Sequence, residues 1–179
     1  MATRSRMTTR QTSVTIMTMI NSEDKKFLEI LDQAEPKALC LRAQISAMFV
    51  KKGEILIQHT NDWHKEYNCS KIGCIRNEMQ IPSGHRREIC YGVCAEQWCL
   101  ALAAKEGISL EGSTLYVTKH PCRICSSMVA IAGIKRVVYQ EGYPDTIENF
   151  DIFKSTKIKV EVGPNTKFKS PKVSKAHTI

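Results

Sequence analysis

Between Ser22 and Ala34 the apolar positions Phe27, Ile30, Leu31 and Ala34 recur at the spacing of one helix face. Ser22 is placed to cap that helix, and Glu23 and Asp24 suit its positive N-terminal end. The helical region reads on to Arg42, with Pro36 kinking it or starting a second piece. Alternation then takes over: AQISAMFV predicts a strand, KKGE a turn and ILIQHT the returning strand of a hairpin. From Asn61 to Cys90 no period is evident, and a connection of that length inside a compact domain needs something to organise it. Helical spacing resumes from Val93 to Lys105 and stops at Gly107. STLYVT predicts a strand, CRICSSMVAIAG a helix ended by Gly133, and IKRVVYQ another strand. DTIENFDIFKST predicts a short helix and KIKVEV a last strand. Strands alternating with helices in this way imply an α/β sheet whose later strands run parallel.

Composition adds limits. A chain of 179 residues, 42% apolar and 25% charged, buries a core as one domain without staples. No apolar run approaches the ~20 residues that span a bilayer. The expected organisation is a flexible segment over 1–21, a folded domain over 22–163 and a basic tail over 164–179. MATRSRMTTRQTSVTIMTMI carries Arg4, Arg6 and Arg10 but no cleavage cue, so a cytoplasmic protein with no membrane contact is expected. The net charge of +8 leans on Lys154, Lys157, Lys159, Lys167, Lys169, Lys172 and Lys175. Such a tail can grip nucleic acid, yet it lacks interleaved aromatics beyond Phe168, and a solvated terminus explains it equally well.

Eight cysteines with no secretory signal point to metal or catalysis before disulfides. Cys94 opens one predicted helix, and HPCRIC puts Cys122 and Cys125 at the start of the next. Helix N-termini favour thiolates, and a Cys-x-x-Cys across a helix start presents both sulfurs to one ion. Three protein ligands leave a fourth position for water, the arrangement of a catalytic zinc rather than a structural one. Glu96, two residues after Cys94 in an otherwise apolar run, then sits where a proton shuttle belongs.

These spaced elements carry a resemblance. CAEQ followed by EGSTLYVTKHPCRICSSMVAIAGIKRVVYQEGYPD resembles the zinc-dependent cytidine and deoxycytidylate deaminase superfamily. With GCIRNEMQIPSGHRREICYGVCAEQ leading into it, the likeness is closest to the deoxycytidylate (dCMP) deaminase branch. The resemblance implies the cytidine-deaminase fold, a five-stranded mixed sheet flanked by helices in three α/β/α layers. It implies zinc on Cys94, Cys122 and Cys125, and a zinc-bound hydroxide attacking C4 of a cytosine nucleotide, most simply dCMP to dUMP. It implies Glu96 as proton shuttle, a homo-oligomer, and substrate contacts from Asn61, Ala95, His120 and Tyr143. The branch usually begins the motif with His, so Cys94 adds a negative charge that a neighbouring cation should offset, with Arg123 one possibility. Trp98 and NDWHKE also depart from the branch's pattern, which weakens the substrate inference more than the reaction inference.

Two further sets stay open. Cys69, Cys74 and Cys90, with His85, His64 or Cys99 as fourth ligand, suit a second, structural zinc, or pack as small hydrophobes. His85, Arg86 and Arg87, or Arg42, suit a 5′-phosphate, or form a solvated basic loop. Other readings are deamination of free cytidine, a modified base or a tRNA or single-stranded DNA base, and a non-catalytic zinc-stabilised interaction protein.

Overall fold

The computed structural model describes residues 20–82, 85–142 and 152–163. Strand β1 (Ser46–Lys51) pairs antiparallel with β2 (Glu54–Thr60) and, on its other edge, antiparallel with β5 (Thr114–Lys119). Strands β6 (Arg136–Glu141) and β7 (Lys159–Val162) extend the sheet in parallel, giving the order β2-β1-β5-β6-β7. This is the five-stranded mixed sheet expected.

Both faces of the sheet are covered, and β1 shows how. Ala47 and Phe49 pack toward α4 (Ala95–Glu106) with Leu115, Val117, Val137 and Tyr139, while Val129 of α5 (Arg123–Ile131) joins the same cluster. Met48 and Val50, on alternate positions, pack with Tyr116 and Val138 against Phe27, Leu28 and Leu31 of α1 (Ser22–Ala34). Each such side chain, once fully buried, contributes on the order of 1.5–3 kcal/mol. The hairpin turn is Lys52–Gly53, with positive φ at both residues (54° and 81°), the primed geometry whose twist matches the strands.

The cap of α1 is not Ser22. Asn21 accepts from the Asp24 N–H at 2.8 Å, and the Asp24 carboxylate accepts from the Asn21 N–H at 3.0 Å, a reciprocal box. Asp24 is 1% exposed and does more than face a helix dipole. It accepts two 2.7 Å hydrogen bonds from Arg136 and one of 2.6 Å from Tyr116, and Arg136 also pairs with Glu161. One ionic network thus ties α1 to β5, β6 and β7. The helix also does not reach Arg42: Pro36 lies in a separate 3-10 turn (Glu35–Lys37), and extended chain follows.

The aperiodic stretch after Asn61 is built from pieces too short to show a period. They are strand β3 (Asp62–Trp63), paired with β4 (Gly92–Val93), the one-turn helices α2 (Cys69–Ile72) and α3 (Ile75–Glu78), and 3-10 turns at Lys65–Tyr67 and Arg87–Ile89. Arg42 donates to the Ile81 carbonyl at 2.7 Å and Arg76 to that of Pro82 at 3.3 Å. The short helix expected over 145–156 is described only at 152–155, and residues 1–19, the basic tail and Tyr143 lie outside the described residues. Among the described residues no helix is long and apolar enough to cross a membrane.

Candidate functional site

Cys94 is the N-cap of α4 and Cys122 the N-cap of α5, and Cys125 stands one turn into α5. Helix α5 is the crossover between parallel β5 and β6, and β4 delivers the chain to α4, so both helix starts converge. The three sulfurs lie within 4.8 Å of one another, those of Cys122 and Cys125 being 3.4 Å apart. Gln97 returns its side-chain oxygen to the Cys94 N–H at 3.1 Å, a capping box with cysteine in the usual serine place. That reciprocal spacing is legible in CAEQ once cysteine is admitted as a cap, and sequence reasoning passed over it.

Electrostatics within the cluster are asymmetric. Hydrogen bonds from the Cys125 and Cys94 thiols hold Cys122 well below the ordinary thiol range. The same hydrogen bonds to Cys122, with burial, push Cys94 and Cys125 up. The cation beside these sulfurs is Arg87, whose Nη2 donates to Cys94 Sγ at 2.5 Å. Arg123, adjacent in sequence, is exposed. Three buried or half-buried sulfurs with a guanidinium alongside are a donor set that fits zinc and leaves one coordination position open.

Glu96 follows at the second position of α4 and is 4% exposed. Burial, then the Cys122 charge, push its carboxyl up to about 7. Ala95, wholly buried, places its N–H in the first turn of the same helix.

The other expected site residues are placed as follows. The Asn61 carboxamide accepts from Ile45 N–H at 2.9 Å and donates to the Ala43 carbonyl at 2.7 Å, clasping the chain that enters β1. His120 is 1% exposed, packed edge-on against Tyr139 and near Phe153, and burial holds it down to about 4. It lies in the core. Arg86 pairs with Glu88 on the surface, so of the two arginines only Arg87 reaches the sulfurs. Trp98 stacks on His59 at 4.9 Å. Cys99 is fully buried, directed at the Ala47 carbonyl, and His64 caps the 3-10 turn after it.

The family described as the cytidine and deoxycytidylate deaminase zinc-binding region matches residues 21–141. The deoxycytidylate deaminase of Mycobacterium phage D29 is 34% identical over 122 residues, 65% of this chain and 92% of that protein. That of Schizosaccharomyces pombe is 27% identical over 123 residues, 68% of this chain, and the chain spans only 38% of the yeast protein's length. The crystal structure of dCMP deaminase from cyanophage S-TIM5, in complex with dCMP and dUMP, superposes with a TM-score of 0.66 at 28% identity. It covers 80% of this chain and 98% of its own. With its sheet, its paired helix starts and its three-sulfur cluster, the chain belongs to the zinc-binding cytidine and deoxycytidylate deaminase family.

Proposed function

We propose that this chain hydrolyses dCMP to dUMP and ammonia, with zinc on Cys94, Cys122 and Cys125 and Glu96 carrying the protons. The observation that carries the reading is Glu96 itself, a buried carboxyl poised near neutrality beside a three-sulfur cluster that needs no further ligand from it. Zinc bound there supplies a Lewis acid that lowers the pKa of water toward ~7. Glu96 would carry two protons in turn, one from the attacking water to the ring nitrogen and one from the hydroxyl added at C4 to the departing amine, and so end unprotonated. Arg87 offsets the extra negative charge of a three-cysteine set. The Ala95 N–H stands next to the cluster to steady negative charge on oxygen.

The nucleotide assignment draws support from the phage relatives, one of them solved with dCMP and dUMP. Asn61 serves a sugar through the amide hydrogen that its bond to Ala43 leaves over. The contacts made by Arg86, Arg87 and His120 give no support to their direct use on substrate. A homo-oligomer belongs to the same proposal, supported by Ile124, Met128 and Ile131, which are 49, 38 and 87% exposed along α5.

The test is ammonia release by zinc-loaded protein from dCMP, CMP, deoxycytidine and cytidine. Preference for dCMP, with Glu96→Gln slower by roughly 10²–10⁴ at unchanged zinc content, is the expected result. Preference for an unphosphorylated nucleoside would overturn the substrate, and an active Glu96→Gln the mechanism.

A further inference from the structure

The function proposed above gives Asn61 a task and leaves unused the rest of NDWHKE, a stretch that departs from the branch's pattern. Its large side chain is Trp63. The Trp63 backbone pairs with Gly92 in the β3–β4 bridge, and Gly92 stands two residues before Cys94. The Trp63 N–H donates to the Asp62 carboxylate at 2.6 Å, which turns that carboxylate back onto its own chain. Just outside the bridge, the rings of Tyr67 and Tyr91 stack 5.4 Å apart and within 5° of parallel, joining the end of one strand to the start of the other. A two-residue pairing is too short to hold a side chain by itself, so these added contacts fix the indole. Trp63 lines one cavity with Asn61, Gly92, Val93 and Arg87, and Arg87 touches Cys94 Sγ. Trp63 is half-buried, and nothing among the described residues accepts from its indole N–H. The other tryptophan, Trp98, is engaged elsewhere, on α4, by its stack on His59.

We propose that Trp63 determines specificity for the sugar of the nucleotide, its indole packing on the C2′ side of a deoxyribose that Asn61 holds. The inference rests on the nucleotide-deaminase reading above and deepens it. Asn61 and Trp63 are alternate residues of an extended stretch and line the same cavity, so a sugar at one lies beside the other. The ring selects by what it lacks. A C2′ methylene packs on an indole face as one apolar group on another. A C2′ hydroxyl brought to the same place gives up its water, and the indole face offers it no hydrogen-bond partner. An apolar wall rejects an added hydroxyl only modestly, by up to about 100-fold, so a graded preference for dCMP over CMP follows. The free indole N–H, at the edge of the ring, serves an oxygen of the same nucleotide.

Two readouts on the full, zinc-loaded chain test this. The first is kcat/KM for dCMP against CMP in wild type, Trp63→Phe and Trp63→Ala. Wild type is expected to favour dCMP by roughly 10–100-fold, Trp63→Phe to keep most of that ratio, and Trp63→Ala to bring it close to unity. A Trp63→Ala that slows both substrates by the same factor shows a residue that only supports the fold, and overturns the proposal. The second readout needs no turnover. The chain has two tryptophans, so Trp98→Phe leaves Trp63 as its single indole. Titration with dUMP is expected to quench that fluorescence saturably, with UMP needed at concentrations roughly 10-fold higher or more. Binding of dUMP seen by equilibrium dialysis with no change in the fluorescence overturns the contact. The same titration decides the matter should Trp63→Ala fail to fold. A chain that deaminates neither nucleotide yet shows the dUMP response loses the proposed reaction and keeps the sugar contact. Failure to bind dUMP at all overturns both.

Discussion

The guanidinium of Arg87 stands 2.5 Å from the sulfur of Cys94, although seven positions and a strand separate them in the chain. Arg87 enters a 3-10 turn directly after Arg86, which holds a left-handed φ of 49°. That bend turns the next side chain inward, and Arg86 outward to Glu88. The same Arg87 lines a cavity that Cys40, Cys69, Cys74 and Cys90 also line.

Arg87→Gln removes the charge but keeps a hydrogen-bond donor. Zinc affinity at the catalytic cluster should fall by roughly 10–100-fold, measured by competition with a chelating dye, with partial recovery in Arg87→Lys. Unchanged affinity would mean that the contact does not balance the thiolates.

Asp24 links stability to pH. Burial alone would raise its carboxyl, but hydrogen bonds from Arg136 and Tyr116 overcome that and hold it at about 2, below the ordinary 3.8. A depressed folded pKa contributes stability that is complete above about 3.8 and lost as pH falls through about 2. The contribution is on the order of 2 kcal/mol. Denaturant midpoints of wild type should therefore drop across that window, and those of Asp24→Asn should be lower at neutral pH and flatter through it.

Two glycines are required for different reasons. Gly107 ends α4 at φ +69° with open space around it, so Gly107→Ala costs only the left-handed conformation, about 1 kcal/mol. A Cβ on Gly163 would meet Leu28 Cδ1 at 2.8 Å, so Gly163→Ala makes the buried Leu28 side chain repack, at roughly 1–3 kcal/mol. Thermal midpoints should fall further for Gly163→Ala, and shaving Leu28 to Ala in the same chain should relieve the clash.

Asn61 is predicted to matter to folding as well as to turnover. Asn61→Asp keeps an acceptor for Ile45 N–H but faces the Ala43 carbonyl without a donor, and burying that mismatch costs about 1–3 kcal/mol. A variant with wild-type stability and raised KM alone would assign the residue to substrate only.

The sequence made the sheet and the metal centre readable because both obey short-range spacing. Alternation in SAMFVK places Ala47 and Phe49 on one face and Met48 and Val50 on the other. Ligand chemistry fixes the interval from Cys122 to Cys125, and a carboxylate in an apolar run singles out Glu96. What escaped is what distance in the chain hides. Arg123 is beside two ligands in sequence and exposed in space, whereas Arg87 comes from another turn. Cys40 stands apart in the sequence yet lines one cavity with Cys69, Cys74 and Cys90. Ser22 and Asn21 are both good caps, and the choice falls to Asn21 because its partner Asp24 is anchored by Arg136, far along the chain.

The pairing of β1 with β5 has a kinetic consequence. Ala47 meets Val117 only after everything between them has been closed into a loop, while β2 joins β1 through a two-residue turn. The hairpin is local and quick to form, but the seam at the sheet's centre carries most of the loop-closure entropy. Any prior ordering of residues 61–93, beginning with the β3–β4 bridge, shortens the effective loop and so accelerates that seam. The segment with the least regular structure is thereby the one that most controls how fast the chain folds.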